Sequence, residues 1–210
     1  MQPWRSLMET TSTIAIYGQS GHGQVVRQIA QACGYQTIIW IDDNPKTDSL
    51  NFENFLKQYP DIPVALGIGS NSARQNIYKR LKDAKVTVTT LVHPSAIITE
   101  DCRLGEGTIV MPLAVINTLA DIGIGAIINT HCCVEHECLI GNFVHLSPQV
   151  GLGGAVSVGA LTHIGIGSSV IQCLTIGTNT IVAAGSVVIQ NIPSHVMVAG
   201  VPAIIKKDIS

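Results

Sequence analysis

The 210-residue chain predicts two domains of different kinds, a small parallel α/β sheet followed by a three-sided parallel β-solenoid. Three observations carry that prediction. Strand-like and helix-like segments alternate as far as His93-Pro94. Beyond them, every sixth residue from Ile98 through Val188 is Ile, Leu or Val, sixteen in succession. All twelve Lys and Arg lie at or before Arg103 or at Lys206 and Lys207, so 104–205 has no basic residue and only the acids Glu106, Asp121, Glu135 and Glu137.

Residues 1–12 are polar and aperiodic and read as a disordered extension, with Met8 an alternative start. From Thr13 the pattern is that of an α/β domain spanning 13–94. Thr13–Gly18 is rich in strand formers, Gly18-Gln-Ser-Gly-His-Gly23 is a turn, Gln24–Cys33 suits a helix and Thr37–Asp43 a second strand. Val64–Gly69 reads as a third strand, Ser70–Ala84 as a capped helix, and Val86–Leu91 as a fourth strand. Such alternation argues for a parallel sheet.

Residues 95–210 form the second domain. The pairs Leu104-Gly105, Ile122-Gly123, Ile140-Gly141, Val158-Gly159 and Ile176-Gly177 recur every eighteen residues, so three hexads make one coil. Each hexad supplies a short strand and a corner, with its aliphatic residue on the axis. Coils stacked at about 4.8 Å give a prism of roughly five coils, on the order of 25 Å tall. Thin coils leave little room inside for rings, and Phe143 is the only aromatic residue in 104–205. Flat apolar faces favour packing on copies, and a homotrimer is expected. Ser194 breaks the six-residue rule, and Pro193 and Pro202 are expected to end the solenoid.

A formal net charge of −2 offers no basic field for nucleic acid. No apolar run is long enough to cross a bilayer, which together with the polar start reads as a cytoplasmic protein without membrane association. The six cysteines contain no CxxC pair and read as reduced filler, with no metal site.

Chemistry concentrates in Asn129-Thr-His-Cys-Cys-Val-Glu-His-Glu137. With Val134 pointing inward, His136 and Glu137 fall on the next corner, where an imidazole can act as general base and a carboxylate can fix its tautomer. The plainer alternative is a solvated corner that keeps coils from aggregating. His163, eighteen residues after His145, should stack over it, in a structural or a cofactor-binding role. In the first domain, the Gly18–Gly23 turn opens a helix and is suited to hold a diphosphate, and Asp42-Asp43 ends the second strand where ribose or base contacts are expected. A tight turn and a solvated strand end are the alternative there.

The run Ile128-Asn-Thr…Val134-Glu-His-Glu-Cys-Leu-Ile-Gly141, followed by Val144-His-Leu-Ser147, resembles the signature of the sialic-acid O-acetyltransferase and UDP-4-amino-sugar N-acetyltransferase family, and the likeness extends over nearly all of 13–203. It implies a Rossmann-like first domain and a left-handed β-helix. It further implies an acetyl-CoA-dependent acetyltransferase with His136 as general base, Glu137 assisting, Asn129 catalytic, His145 near the thioester and Gly154 as an oxyanion donor. It assigns the nucleotide sugar to Gly18, Ser20, Gly21, His22 and Gly23, with His22 near phosphate. The expected reaction is direct transfer to a UDP-linked 4-amino-4,6-dideoxy sugar; O-acetylation of a sialic-acid-type sugar and a non-catalytic trimeric scaffold stay open as alternatives. One departure stands out. Acetyltransferases of this fold commonly place a basic residue soon after a terminal Gly-Val-Pro-Ala, whereas here Ile204 and Ile205 follow Gly200–Ala203, which leaves the CoA phosphates to Lys206 and Lys207, to backbone N–H groups, or to no strong partner.

Overall fold

The computed structural model describes residues 12–210; the extension and alternative start expected within 1–11 lie outside the described residues. Three parallel strands, β1 (Thr13–Tyr17), β2 (Thr37–Ile41) and β3 (Val64–Leu66), form a sheet in the order β2-β1-β3. Helices α1 (Gly21–Ala32), α2 (Phe52–Gln58) and α3 (Asn71–Asp83) connect and flank them. Helix α2 was not anticipated. It is short and amphipathic, with Phe52 and Phe55 buried, and the Asn51 side chain accepts a hydrogen bond from the Asn54 N–H at 2.8 Å.

The expected fourth strand does not form. Val88 makes only an isolated bridge to Val64. Leu91 instead pairs with Ile109, so the solenoid takes up the chain ahead of Pro94. Apolar β-formers are common to both domains, and strand propensity alone does not divide Val86–Val92 between them.

The solenoid is a left-handed parallel β-helix of about six turns, built from two-residue strands β4 (Leu91–Val92) through β20 (Val187–Val188). They stack into three faces. Face B runs from β4 through β13 (His145–Leu146) and β16 (His163–Ile164); face C includes β11 (Cys133–Val134); face D includes β12 (Leu139–Ile140). The six-residue aliphatic series lines the axis, from partly buried Ile98 to fully buried Val188. A second series sits beside it at the corners, where small side chains such as Ala114, Ala120, Ala126, Cys132 and Cys138 are buried.

Of the two prolines expected to end the solenoid, Pro193 does not, whereas Pro202 follows its last parallel strand. Past Pro193 the chain adds β21 (Val196–Ala199), whose Val198 pairs with Val182 across a shortened last coil. Pro202 lies in the turn to an exposed antiparallel strand, β22 (Ile204–Asp208). These additions at both ends account for the extra turn.

The α/β domain sits on face B. Leu91, Ile109 and Ile127 occupy one outward column and pack with Ile14, Ile16, Val26 and Ile29. Beyond that apolar contact the same column continues as His145 and His163. A greasy interface thus gives way to imidazoles where the first domain's loops end.

Candidate active site

Corner geometry places the strongest pair. His136 and Glu137 follow β11 on the edge between faces C and D, and both side chains are about half exposed. Glu137 holds a left-handed backbone, φ 60°, as every sixth residue of the solenoid's corners does. Its carboxylate Oε2 lies 3.0 Å from His136 Nδ1. That contact directs the Nδ1–H to the carboxylate and leaves the Nε2 lone pair free to accept a proton.

One coil on, Gly154 lies directly over this ring. A Cβ built on Gly154 would stand 2.5 Å from both Cε1 and Nε2 of His136. Only glycine permits that approach. The Gly154 N–H makes no backbone hydrogen bond within the described residues, so a donor is available beside the imidazole. Cys132 and Cys138, near in sequence, point inward and donate to backbone carbonyls of Ser147 and Gly153. Burial pushes the Cys132 thiol up to about 12, which removes it as a nucleophile.

Asn129 and His145 form a separate group. Asn129 follows β10 (Ile127–Ile128) on the edge between faces B and C, and its Nδ2 is 3.1 Å from His145 Nε2. His145 is stacked on His163 with centroids 4.7 Å apart and planes within 2°. His163 Nε2 is 2.8 Å from Ser147 Oγ. Within the chain, therefore, Asn129 on the B/C edge and His145 on face B stand apart from His136 and Glu137 on the C/D edge.

The glycine turn faces this second group. Gly18 has φ +103°, and a Cβ on Gly23 would fall 1.9 Å from the Gly18 carbonyl oxygen, so turn and helix meet too closely for any side chain. Helix α1 opens at Gly21. The Ser20 side chain makes no capping bond, and no acidic residue occupies the first turn, which leaves early N–H groups and the helix dipole for an anion. His22 projects to within 6.1 Å of the His145 ring, and its Nε2 is buried without a partner among the described residues. The loops after β1 and β3 lie at the carboxyl ends of strands whose order reverses across β1, the place where an open parallel sheet is expected to offer a ligand crevice.

The acidic pair has partners within the first domain. Asp42 accepts from the Gln19 and Asn44 N–H groups at 2.8 and 3.0 Å. Asp43 accepts from the Tyr17 hydroxyl, the Phe52 N–H and Arg80. Both carboxylates thus take part in holding the loops at this strand end.

Sequence reasoning passed over Arg74. Its side chain is fully buried and donates to the carbonyls of Gly125, Ile68, Gly69 and Phe143 at 2.7 to 3.1 Å. Burial and this cation hold His22 down to about 4. Burial, His163, Arg74 and His22 hold His145 down to about 3, and His163 is lowered for the same first reason. The three rings are neutral at physiological pH. Lys206 and Lys207 lie exposed on β22.

Residues 13–81 match the PglD N-terminal domain model. PerB from Caulobacter crescentus, solved with CoA and GDP-perosamine, superposes with a TM-score of 0.88 at 36% identity, over 93% of this chain and 97% of that one. The chain belongs to the nucleotide-sugar N-acetyltransferase family. Two further members bear this out. The acetyltransferase domain of PglB from Neisseria gonorrhoeae, in complex with acetyl coenzyme A, has a TM-score of 0.88 at 29% identity, covering 94% of this chain and all of that one. UDP-N-acetylbacillosamine N-acetyltransferase of Bacillus subtilis is 40% identical over 110 residues, a match spanning 45% of this chain and 49% of the relative. Nothing in the fold of this family member crosses a membrane as a helix: among the described residues no helix is long and apolar enough.

Proposed function

We propose that the protein transfers acetyl from acetyl-CoA to the amine of a UDP-linked 4-amino-4,6-dideoxy sugar, directly and within a ternary complex. The observation that carries this reading is the contact of Gly154 on a histidine whose other nitrogen is held by a carboxylate. In one place it supplies a base, an orienting group and a backbone donor. His136 Nε2 removes the proton of the attacking amine as the C–N bond forms at the thioester carbonyl. The Gly154 N–H receives the oxyanion, and collapse breaks the C–S bond and releases CoA as the thiol, with the imidazolium returning the proton. Relatives named for UDP- and GDP-linked sugars, and neighbours solved with CoA or acetyl-CoA, support the substrate class.

The nucleotide is assigned to the crevice at Gly18–Gly23, with His22 at the phosphates. The sugar then extends over His145 toward the edge that carries Asn129. Face B is covered by the first domain, and face D carries the Arg103–Asp121 contact at 3.8 Å. Face C presents uncharged strand residues, among them Val115, Cys133, Gly151 and Ser169, and packs against a copy in the proposed homotrimer. Its two edges are those of Asn129 and of His136, so trimer closure joins the two groups in a shared site.

The test is thioester release across UDP-, GDP- and CMP-linked amino sugars, with free sialic acid included. Turnover confined to nucleotide-linked 4-amino sugars is the expected result. Turnover on sialic acid alone would replace the amine by a hydroxyl acceptor, and no turnover on any of them would return the chain to a scaffold.

A further inference from the structure

Arg74 joins parts of the molecule that are far apart in sequence. Nη1 donates to the carbonyls of Ile68 and Gly69, in the loop after β3, at 3.1 and 3.0 Å. Gly69 borders His22: a Cβ added there would come within 3.8 Å of the His22 side chain. Nε donates to Gly125 at 2.7 Å and Nη2 to Phe143 at 2.9 Å, both left-handed corner residues of the solenoid. Phe143 and Val144 lead directly into β13, which carries His145. Nη2 also donates to Asn71 Oδ1 at 2.8 Å, and Asn71 Nδ2 in turn donates to the Leu161 carbonyl at 2.9 Å. One planar group thus fixes the wall beside His22 and the strand of His145 at the same time.

We propose that Arg74 is a positioning residue for the acceptor crevice, setting the Ile68–Gly69 wall against the His145 strand through a single guanidinium shared by both domains. This rests on the reading of that crevice as the nucleotide-sugar site. Two physical points favour a role beyond stapling. A buried cation satisfied by carbonyl dipoles is expensive compared with an apolar side chain of similar size, so adhesion alone does not explain its charge. No carboxylate pairs with it among the described residues, so its field reaches its surroundings. The groups facing His145 are His22 from α1, His163 from β16, Asn129 from the neighbouring edge and Arg74 from α3. All but Arg74 are neutral, and the remaining positive potential favours a diphosphate in the crevice.

Arg74→Met and Arg74→Lys are to be compared with the unmodified protein in three measurements. These are binding of UDP and GDP by calorimetry, the Michaelis constants for nucleotide sugar and acetyl-CoA, and NMR titration of the histidine rings without ligand. Arg74→Met is expected to weaken nucleotide and nucleotide-sugar binding about tenfold, the factor that corresponds to about 1.4 kcal/mol. The acetyl-CoA constant should stay within about twofold, a split that general loss of structure does not produce. The His22 and His145 rings should titrate at higher pH, and Arg74→Lys should fall between. A folded Arg74→Met with both constants unchanged, or both raised alike, overturns the proposal. If Arg74→Met does not fold, Asn71→Ala takes its place, with a smaller split expected and the same overturning results. Should the unmodified protein bind neither nucleotide, the crevice reading fails, and unmoved histidine titrations would then separately dismiss the clamp.

Discussion

His136 and His145 belong to consecutive sides of one coil, yet the fold prepares them in opposite ways. His136 is half exposed on an edge, with a carboxylate on Nδ1 and a bare glycine over its face. His145 is half-buried on a face, stacked on another imidazole, bonded to an amide and exposed to the field of a guanidinium. The first arrangement fixes the ring's orientation and leaves Nε2 facing outward without a partner among the described residues. The second opposes any gain of charge, so that His145 acts as a neutral hydrogen-bonding group. Sharing a residue type and a neighbourhood in sequence does not make two histidines interchangeable; His145 is kept neutral first by desolvation and then by the cation and rings around it.

The sharpest way to break this comparison is to remove each ring in turn. His136→Ala should lower kcat/KM about 10² to 10⁴-fold, the range of a positioned general base, with thermal unfolding unchanged because the side chain packs on nothing interior. Gly154→Ala should lose a comparable amount, since its Cβ must displace the imidazole. If His145→Ala were the more damaging to kcat and His136→Ala raised only the sugar's Michaelis constant, the two roles would be reversed.

A second experiment sharpens where the two groups meet. In a shared site, one protomer's His136 works with a neighbour's Asn129 and His145. Mixing inactive His136→Ala with inactive Asn129→Ala protomers, by unfolding and refolding together, should restore a measurable fraction of turnover in hybrid trimers. No recovery in trimers shown to be mixed would place all catalytic groups in one subunit.

The sequence rendered the edge legible and concealed the face. Inward strand positions tolerate only aliphatic residues, so the six-residue period from Ile98 locates every corner, and with it His136 and Glu137. Corner backbones were less readable: Leu113, Leu119, His131 and Phe143 all hold φ near 60° without being glycine. The solenoid's stacked hydrogen bonds impose a conformation that local preference would refuse. Arg74 had no signature, because its partners apart from Asn71 are backbone carbonyls, which any residue supplies. Asp42 and Asp43 looked available because their partners, the Gln19 N–H and the Tyr17 hydroxyl, arrive from another strand's end.

The buried group has its own test in pH. An ordinary histidine titrates near 6.5, whereas His22 and His145 are held to about 4 and about 3. Between those limits the unfolded chain binds more protons than the native one, so stability falls as pH drops from about 6.5 toward 3. Each unit of depression corresponds to about 1.4 kcal/mol. Melting temperatures between pH 7 and 5, above the range where carboxylates titrate, should therefore decline, and His145→Asn should flatten the decline. A flat profile in the unmodified protein would mean that these rings carry protons in the native state.

The smallest effect belongs to β22, at the edge of the sheet that carries His145 and His163. Lys206 and Lys207 are the only basic residues after Arg103, and they project from β22, whose residues are all exposed. Exposed ion pairs are worth up to about 1 kcal/mol, so Lys206→Ala combined with Lys207→Ala should raise the acetyl-CoA Michaelis constant only about two- to fivefold. The nucleotide sugar's constant and kcat should not move. Added salt should raise the unmodified protein's constant toward that of the double variant, since the same contact is being screened. An acetyl-CoA constant indifferent to both the substitutions and salt would detach these lysines from the CoA phosphates. Binding would then rest on the backbone groups of the C/D edge above Gly154, and the exposed histidine's surroundings would hold the donor unaided.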